Sequence, residues 1–341
     1  MVPALVSRAA SGEKSQIKRG SVLDNAGRYA TTRAAFTDYL LRSQNLWNRT
    51  PDLQARFLPD SPEFHEYVDT EAILYFRELQ ECAVALPPWA TMVNVGGETD
   101  LRVFLPIGLQ CYRAIRNHLR PTPQRSVVLD FGVGCARTAR HFYRDMDAFE
   151  VHGCDVDQQS IDYLDRNVPL IAAKMSRNLP PLPYPDSMFN AIYSVSVFTH
   201  FDRHSFAAWA TEMIRCLRPG GRLIVTLHGR TALNIISAPG AAARLNVDEA
   251  AFAAARAKFE RDGFMWAPQT VTSGDVDSGQ FGIAFTDETR LADLFPSALS
   301  PRAYSAGEIG GWQDIAVFER VDQPAAPKVK SKKAKSSEAA K

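Results

Sequence analysis

The chain has 341 residues, 45% of them hydrophobic, and a formal net charge of +1. That is enough apolar content for one large core or two modest ones. No apolar run approaches the roughly 20 residues needed to span a bilayer, and the first twenty residues lack a secretory apolar stretch, so a cytoplasmic location is expected. The five cysteines, Cys82, Cys111, Cys135, Cys154 and Cys216, form no CxxC pair, which argues against a zinc cluster or a disulfide framework. Charge is unevenly placed. Residues 321–341, "VDQPAAPKVKSKKAKSSEAAK", hold six lysines against Asp322 and Glu338, a balance of +4 that leaves −3 on residues 1–320. The folded part is mildly acidic, so no specific nucleic-acid partner is expected.

In chain order, residues 1–25 are polar and aperiodic and predict a disordered start. A helical extension over 26–121 follows. From Thr32, Phe36, Tyr39, Leu40 and Trp47 recur near helical spacing, and a second helix opens at Ser61, Pro62 and Glu63 and is stopped by Pro87 and Pro88. A glycine turn in "VNVGG" precedes a third helix over about 106–119, and "RPTPQ" marks a boundary near 121. The rhythm then changes to short β-like runs at 126–130, 149–154, about 170–174, 189–196, 222–228 and "WQDIAVFER". Helices are expected near 136–145, 158–167 and 203–217, with another over 247–262 closed by Gly263. This alternation predicts an α/β unit over 122–320, with a mostly parallel sheet covered by helices on both faces. The Ala-, Lys-, Ser- and Pro-rich segment 321–341 has no large apolar residues to order it and is expected to be a disordered tail.

The run "VVLDFGVGCARTAR", residues 127–140, ends its strand at an acid and enters a glycine loop. In an open parallel sheet, ligands sit beyond the carboxyl ends of the strands, where this loop stands. A dinucleotide fingerprint needs glycine at 137, where Arg137 stands, and no Lys-Ser/Thr pair follows the glycines as a Walker loop requires. What remains is D-x-G-x-G-x-small, met by Asp130, Gly132, Gly134 and Ala136. Downstream come "VHGCDVDQQSIDYLDRN", with Asp155 ending the second strand, then "RNLPPLPYPDSMFNAIYSVSVFTHF" and "EMIRCLRPGGRLIVTLHG".

These four segments, in this order, resemble the class I, Rossmann-like S-adenosylmethionine-dependent methyltransferases. Ala136 departs from the family's third glycine and Asn190 from its aspartate. The resemblance implies a seven-stranded sheet, S-adenosyl-L-methionine as cofactor and a set of contacts to it. Gly132 and Gly134 let the backbone approach the methionine part, whose carboxylate can face the helix start near Ala136. Asp130 either meets the ammonium group or orders its own loop. Asp155 accepts from the ribose hydroxyls, Val156 lines the adenine, and Asn178 and Leu179 either contact the adenine edge or form a plain loop. Cys135 and Ser194 complete the set. No metal is expected, because the two aspartates of "SGDVDSG" in a glycine-rich turn are usually solvated.

Methyl transfer from a sulfonium gains most of its rate from alignment and desolvation, but a hydroxyl acceptor still benefits from a base. His200, in "SVFTHFDRHSF", follows the fourth strand and titrates near neutrality. His228 at the end of the fifth strand and Asp202 are further candidates. Asp202 or Thr199 could instead cap the helix that carries Phe206, Trp209, Met213 and Leu217. The resemblance is closest to bacterial methyltransferases associated with cell-surface glycans, which implies a saccharide or small-molecule hydroxyl as acceptor. Methylation of nitrogen or of a natural product, and a cofactor-binding module without catalysis, remain alternatives. Trp47, Trp89 and Phe104 could cover the acceptor or be ordinary core.

Overall fold

A computed structural model describes residues 87, 91–92, 101–145, 147–168, 171–236, 240–270 and 281–321. The expected disordered start, the first two helices, the "VNVGG" turn, Trp47, Trp89, the "SGDVDSG" loop and residues 322–341 lie outside the described residues.

Helix α1 (Leu101–Arg116) precedes the sheet. It starts five residues earlier than expected, because Pro106 removes only one i to i−4 hydrogen bond and the helix continues through it. Strands β1 (Ser126–Phe131), β2 (Phe149–Asp155), β3 (Ile171–Met175), β4 (Phe189–Ser194) and β5 (Leu217–Leu227) follow, with α2 (Gln158–Asn167) between β2 and β3 and α3 (Arg203–Cys216) between β4 and β5. After β5 come α4 (Arg230–Ile235), α5 (Ala241–Arg244), α6 (Glu249–Asp262), β6 (Phe264–Pro268), β7 (Gly282–Thr286) and α7 (Leu291–Leu294). The last described strands are β8 (Leu299–Ile309) and β9 (Gln313–Arg320).

The sheet has seven strands in the order β3-β2-β1-β4-β5-β9-β8. The first five are parallel, and β9 runs antiparallel to both β5 and β8. This is the mostly parallel Rossmann-like architecture. The strands alternate between two cores. Val128, Val151 and Ile224 pack on one face with Phe104, Leu109 and Ile115 of α1 and Ile161 and Leu164 of α2. Leu129, Ile192 and Val225 pack on the other with Phe206, Trp209 and Met213 of α3 and Leu291 and Leu294 of α7. Central strands buried on both faces must be nearly continuous apolar runs, as "SVVLDF" is. Helix α1 therefore shares a core with the sheet.

A third, smaller core lies in the segment inserted between β5 and β8. Leu233, Ile236, Phe252, Phe259, Met265, Ile283 and Phe285 close α4, α5, α6 and the β6–β7 ribbon around one another. Helix α6 is capped by Asp248, which accepts from Ala251 N, and is closed by Gly263 at φ 64°.

Three further boundaries differ from expectation for local reasons. The helix expected near 136–145 is a 3-10 segment over Ala139–Asp145, because Ala136 takes φ 61° and prevents an earlier start. Strand β4 stops at Ser194, two residues early, ahead of Ser196 at φ 60°. Strand β5 begins five residues early, at Leu217, and the pairing shift between Phe189 and Ala191 absorbs "RPGG" as a bulge.

Candidate active site

The glycine loop is held by its neighbours in the sheet. Gly132 N and Val133 N donate to Cys154 O at 2.9 and 3.0 Å. Gly132 adopts φ 81°, and a Cβ there would stand 2.3 Å from Val197 Cγ2, so both conformation and space require glycine. At the end of β2, Asp155 acts as a clasp. Its Oδ2 accepts from Gly134 N at 2.7 Å and its Oδ1 from Asp157 N at 3.0 Å. Each oxygen keeps a further lone pair for a ligand hydroxyl. The clasp brings together Asp130, Gly132, Gly134 and Asp155, with Val156 half-buried beside them.

One contributor escaped the sequence reading. Gly108 of α1 lies so close to the loop that a Cβ would stand 2.1 Å from Arg137 O. The signal was an isolated glycine inside a helical pattern, which costs about 1 kcal/mol and usually has a packing reason.

The electrostatics of the loop favour a cation. Asp130 is buried, and desolvation with the nearby Asp155 charge raises its pKa to about 8, against the opposing influence of the Tyr193 hydroxyl and Arg137. The Tyr193 hydroxyl is buried without a hydrogen-bond partner of normal geometry. Burial also raises the Asp155 pKa, countered by the backbone donors it accepts from. Arg137 acts electrostatically on Asp130, Cys111 and Cys135, and its Nε is buried without a hydrogen-bond partner. Cys135 and Ala136 are fully buried, and burial lifts the Cys135 thiol to about 11, so its side chain is core and only its backbone can serve a ligand. The Ser194 hydroxyl donates to Phe131 O at 3.0 Å and ties β4 to the end of β1. Asn178 and Leu179 lie exposed beyond β3, near the end of β2, where Ser176 N donates to Asp155 O at 2.8 Å.

Across β4 and β5 the three expected catalytic side chains separate in role. Asp202 is the N-cap of α3, accepting from Ser205 N at 2.7 Å, so the catalytic expectation gives way to the capping alternative. His228 has both ring nitrogens engaged. Its Nε2 accepts from Trp312 Nε1 at 2.9 Å, which leaves Nδ1 to donate to Ala284 O at 3.3 Å. Burial and the neighbouring His200 lower its pKa to about 3, so it is a neutral core group and not the second base expected. His200 differs. Its Nδ1 donates to Gly282 O at 2.7 Å, because a carbonyl can only accept, and so the neutral ring carries its lone pair on Nε2. Its ring stacks on Phe281 at 4.3 Å, and Trp266 Nε1 donates to its backbone carbonyl at 3.0 Å. Burial lowers the His200 pKa, opposed by Gly282 and by nearby Gln269. The Gln269 Oε1 is buried without a hydrogen-bond partner of normal geometry.

The residues that orient His200 all come from the inserted ribbon and its flanks, which the sequence reading left unassigned. Ser196, whose hydroxyl pairs with the Gln313 amide, and Trp312 also stand at this end of the sheet.

Residues 128–221 match the profile of a family described as "Methyltransferase domain". No curated protein matches the chain. Among solved structures, one similar chain is an S-adenosylmethionine-dependent methyltransferase from Methanosarcina mazei, with 16% identity and a TM-score of 0.44, covering 62% of this chain and 98% of its own. Another is the 1,6-didemethyltoxoflavin-N1-methyltransferase of Burkholderia thailandensis, with 14% identity and a TM-score of 0.44, covering 70% and 95%. A third is the geranyl diphosphate C-methyltransferase of Streptomyces coelicolor, with 14% identity and a TM-score of 0.38, covering 62% and 78%. The profile match covers the glycine loop, the acidic ends of β1 and β2, and β4 up to the bulge of β5: residues 128–221 are similar to a methyltransferase domain, set in a mostly parallel, Rossmann-like sheet.

Proposed function

We propose that the chain methylates a hydroxyl of a saccharide or other small hydroxylated acceptor in the cytoplasm, with His200 as the base. The carrying observation is the tautomer of His200, whose Nδ1 is committed to Gly282 O and whose Nε2 is left to accept a proton.

The residues of the loop fit the cofactor. Two buried acids, Asp130 and Asp155, stand close enough to raise the Asp130 pKa, and a ligand ammonium would relieve that repulsion. The Arg137 Nε lacks a partner, which suits a ligand carboxylate, together with backbone N–H groups of the Gly132–Ala136 loop. The free lone pairs of Asp155 suit ribose hydroxyls, and Val156, Asn178 and Leu179 border the adenine. When bound, the cofactor supplies a methyl group already activated by its sulfonium.

The protein's part is to align the acceptor, exclude water and remove a proton. With its pKa lowered by burial, His200 is neutral at physiological pH. Its Nε2 takes the acceptor's hydroxyl proton as that oxygen becomes methylated. The resulting imidazolium is stabilised by Gly282 O at Nδ1 and by the unpartnered Gln269 Oε1 nearby. Trp266 and Phe281 beside His200, Trp312 beside His228 and the Ser196–Gln313 pair suit an acceptor with apolar faces and a polar rim.

The test is radiolabelled methyl transfer by the full chain into fractionated lysate, including lipid-linked and polymeric glycans. Label is expected in an alkali-stable saccharide ether. Label confined to amines, to alkali-labile products or to no fraction at all would overturn the reading.

A further inference from the structure

The carboxyl edge of the sheet carries a polar arrangement that neither the glycine loop nor His200 uses. Strand β5 separates β4 from β9, and β9 runs antiparallel to β5, so Gln313, the first residue of β9, stands at the edge where β4 and β5 end. Ser196 lies two residues past the end of β4. Its hydroxyl donates to Gln313 Oε1 at 3.1 Å and accepts from Gln313 Nε2 at 2.8 Å. The pair therefore bridges the end of β5.

Both ends of the bridge are fixed. Ser196 takes φ 60°, a costly conformation for a residue with a Cβ, and its N donates to Thr226 Oγ1 at 2.8 Å. Strain of this kind persists only where the surroundings impose it, and it clusters at functional sites. Gln313 lies between two anchored neighbours. Trp312 Nε1 donates to His228 Nε2 at 2.9 Å, and the fully buried Asp314 accepts from Gly307 N at 2.7 Å and from the Tyr304 hydroxyl. The bridge also adjoins both halves of the site. Val197, the next residue after Ser196, packs so closely on the glycine loop that a Cβ at Gly132 would stand 2.3 Å from its Cγ2. The Val197 carbonyl accepts from His200 N at 3.0 Å.

Hydrogen-bonding capacity is left over. A hydroxyl has one proton and two lone pairs, and a carboxamide has two N–H groups and two lone pairs on its oxygen. After their mutual bonds, Ser196 keeps one lone pair, while Gln313 keeps one N–H and one lone pair. Both residues are half-buried, so a ligand can reach them. An uncharged group that donates and accepts at once matches a hydroxyl, which does the same. The charged side chains flanking the bridge are matched within the protein. Asp314 is bonded to Tyr304 and Gly307, and Arg230, just after β5, is paired with Asp287 at 2.5 Å and with Glu260 at 3.4 Å.

We propose that Ser196 and Gln313 together bind a second, uncharged hydroxyl of the acceptor, and so hold the reacting hydroxyl between the glycine loop and His200 Nε2. This rests on the reading of the site as a hydroxyl methyltransferase with His200 as base, and it narrows the acceptor to a neutral polyol. A contact remote from the reacting oxygen is made equally in the bound complex and in the transition state. Its loss therefore raises KM and leaves kcat largely in place.

The test is radiolabelled methyl transfer into lysate glycans separated by ion exchange into neutral, anionic and cationic fractions. KM is read from a dilution series of the fraction that takes label, which is expected to be the neutral one. Gln313→Leu should raise that KM roughly tenfold, with kcat within about threefold and calorimetric affinity for S-adenosylhomocysteine within about twofold. Ser196→Gly should raise KM similarly without lowering the melting temperature, because glycine adopts a positive φ freely. An unchanged KM in both variants overturns the proposal. So does label confined to the anionic or cationic fraction, and so does a loss of S-adenosylhomocysteine affinity that accompanies the rise in KM. Failure of the underlying reading looks different: His200→Gln would keep its kcat, while KM still responded to Gln313→Leu. No label in any fraction overturns both.

Discussion

Asp155 clasps Gly134 across 21 positions of sequence, while His200 is oriented by Gly282 across 82. On the β1–β3 side of the carboxyl edge, the groups that matter are backbone amides in forced conformations and acids at strand ends, supplied by one continuous stretch. On the β4–β5 side, the candidate base depends on a ribbon with its own small core, contributed by residues inserted after β5. On the proposed reading, the cofactor side is built from local geometry, whereas the acceptor side rests on a tertiary contact. A change in the ribbon should alter catalysis without altering cofactor affinity, and a change in the clasp should do the reverse.

The sharpest way to separate the two sides is His200→Gln. It should lower kcat by about 10²–10⁴ while leaving calorimetric affinity for S-adenosylhomocysteine within about twofold. His228→Gln in the same assay should change kcat by less than about threefold but lower the melting temperature, because it disturbs the bonds to Trp312 and Ala284. Equal losses in the two variants would dissolve the distinction between base and core histidine.

On the other side, Asp155→Ala leaves the Gly134 and Asp157 amides without their acceptor. Affinity for S-adenosylhomocysteine should fall roughly 100-fold with an unchanged far-ultraviolet spectrum. Retained affinity would show that the clasp is dispensable.

Asp130 gives a pH signature. Its folded pKa, about 8, lies above its ordinary value of 3.8, so the folded protein holds a proton that the unfolded chain releases. The stability this confers is present below the ordinary value and is lost as pH rises towards about 8. Without ligand, the melting temperature should decline across that window, and Asp130→Asn should flatten the decline. A ligand ammonium prefers the ionised carboxylate, so affinity should rise roughly tenfold per pH unit below about 8 and level off above it. An affinity independent of pH would remove Asp130 from the ammonium site.

The smallest change is Gly108→Ala. The added methyl meets Arg137 O, so α1 must shift, costing about 1–3 kcal/mol and weakening cofactor binding several-fold. Unchanged melting and affinity would mean that α1 yields freely.

The difference between the two sides also explains what could be read from the residues alone. The glycine loop, Asp130 and Asp155 were legible because positive φ and buried acids leave their mark on residue type. Helices α2, α3 and α6 were legible because Asp157, Asp202 and Asp248 cap them and Gly263 closes α6. The inserted ribbon was not, since "FMWAP" and "GIAFT" are short and mostly buried, with no alternation of polarity to mark a strand. Strand β8 was hidden for another reason. It contains Pro301 and Gly307, tolerated because it is an edge strand whose pairing with β9 slips twice. The sequence D-x-x-S at Asp202 fits both a base and a cap, and only the bond to Ser205 N decides between them.

The contact between Gly108 and Arg137 also bears on how such proteins can be cut and recombined. The prolines of "RPTPQ" invite a fragment beginning at residue 122, yet the glycine loop is backed by a helix encoded before that point. A fragment cut there would strip Tyr112 from Phe142, and its loop would lose its stop. Exchanging the upstream helix would act on the glycine loop from outside, through the Gly108–Arg137 O contact.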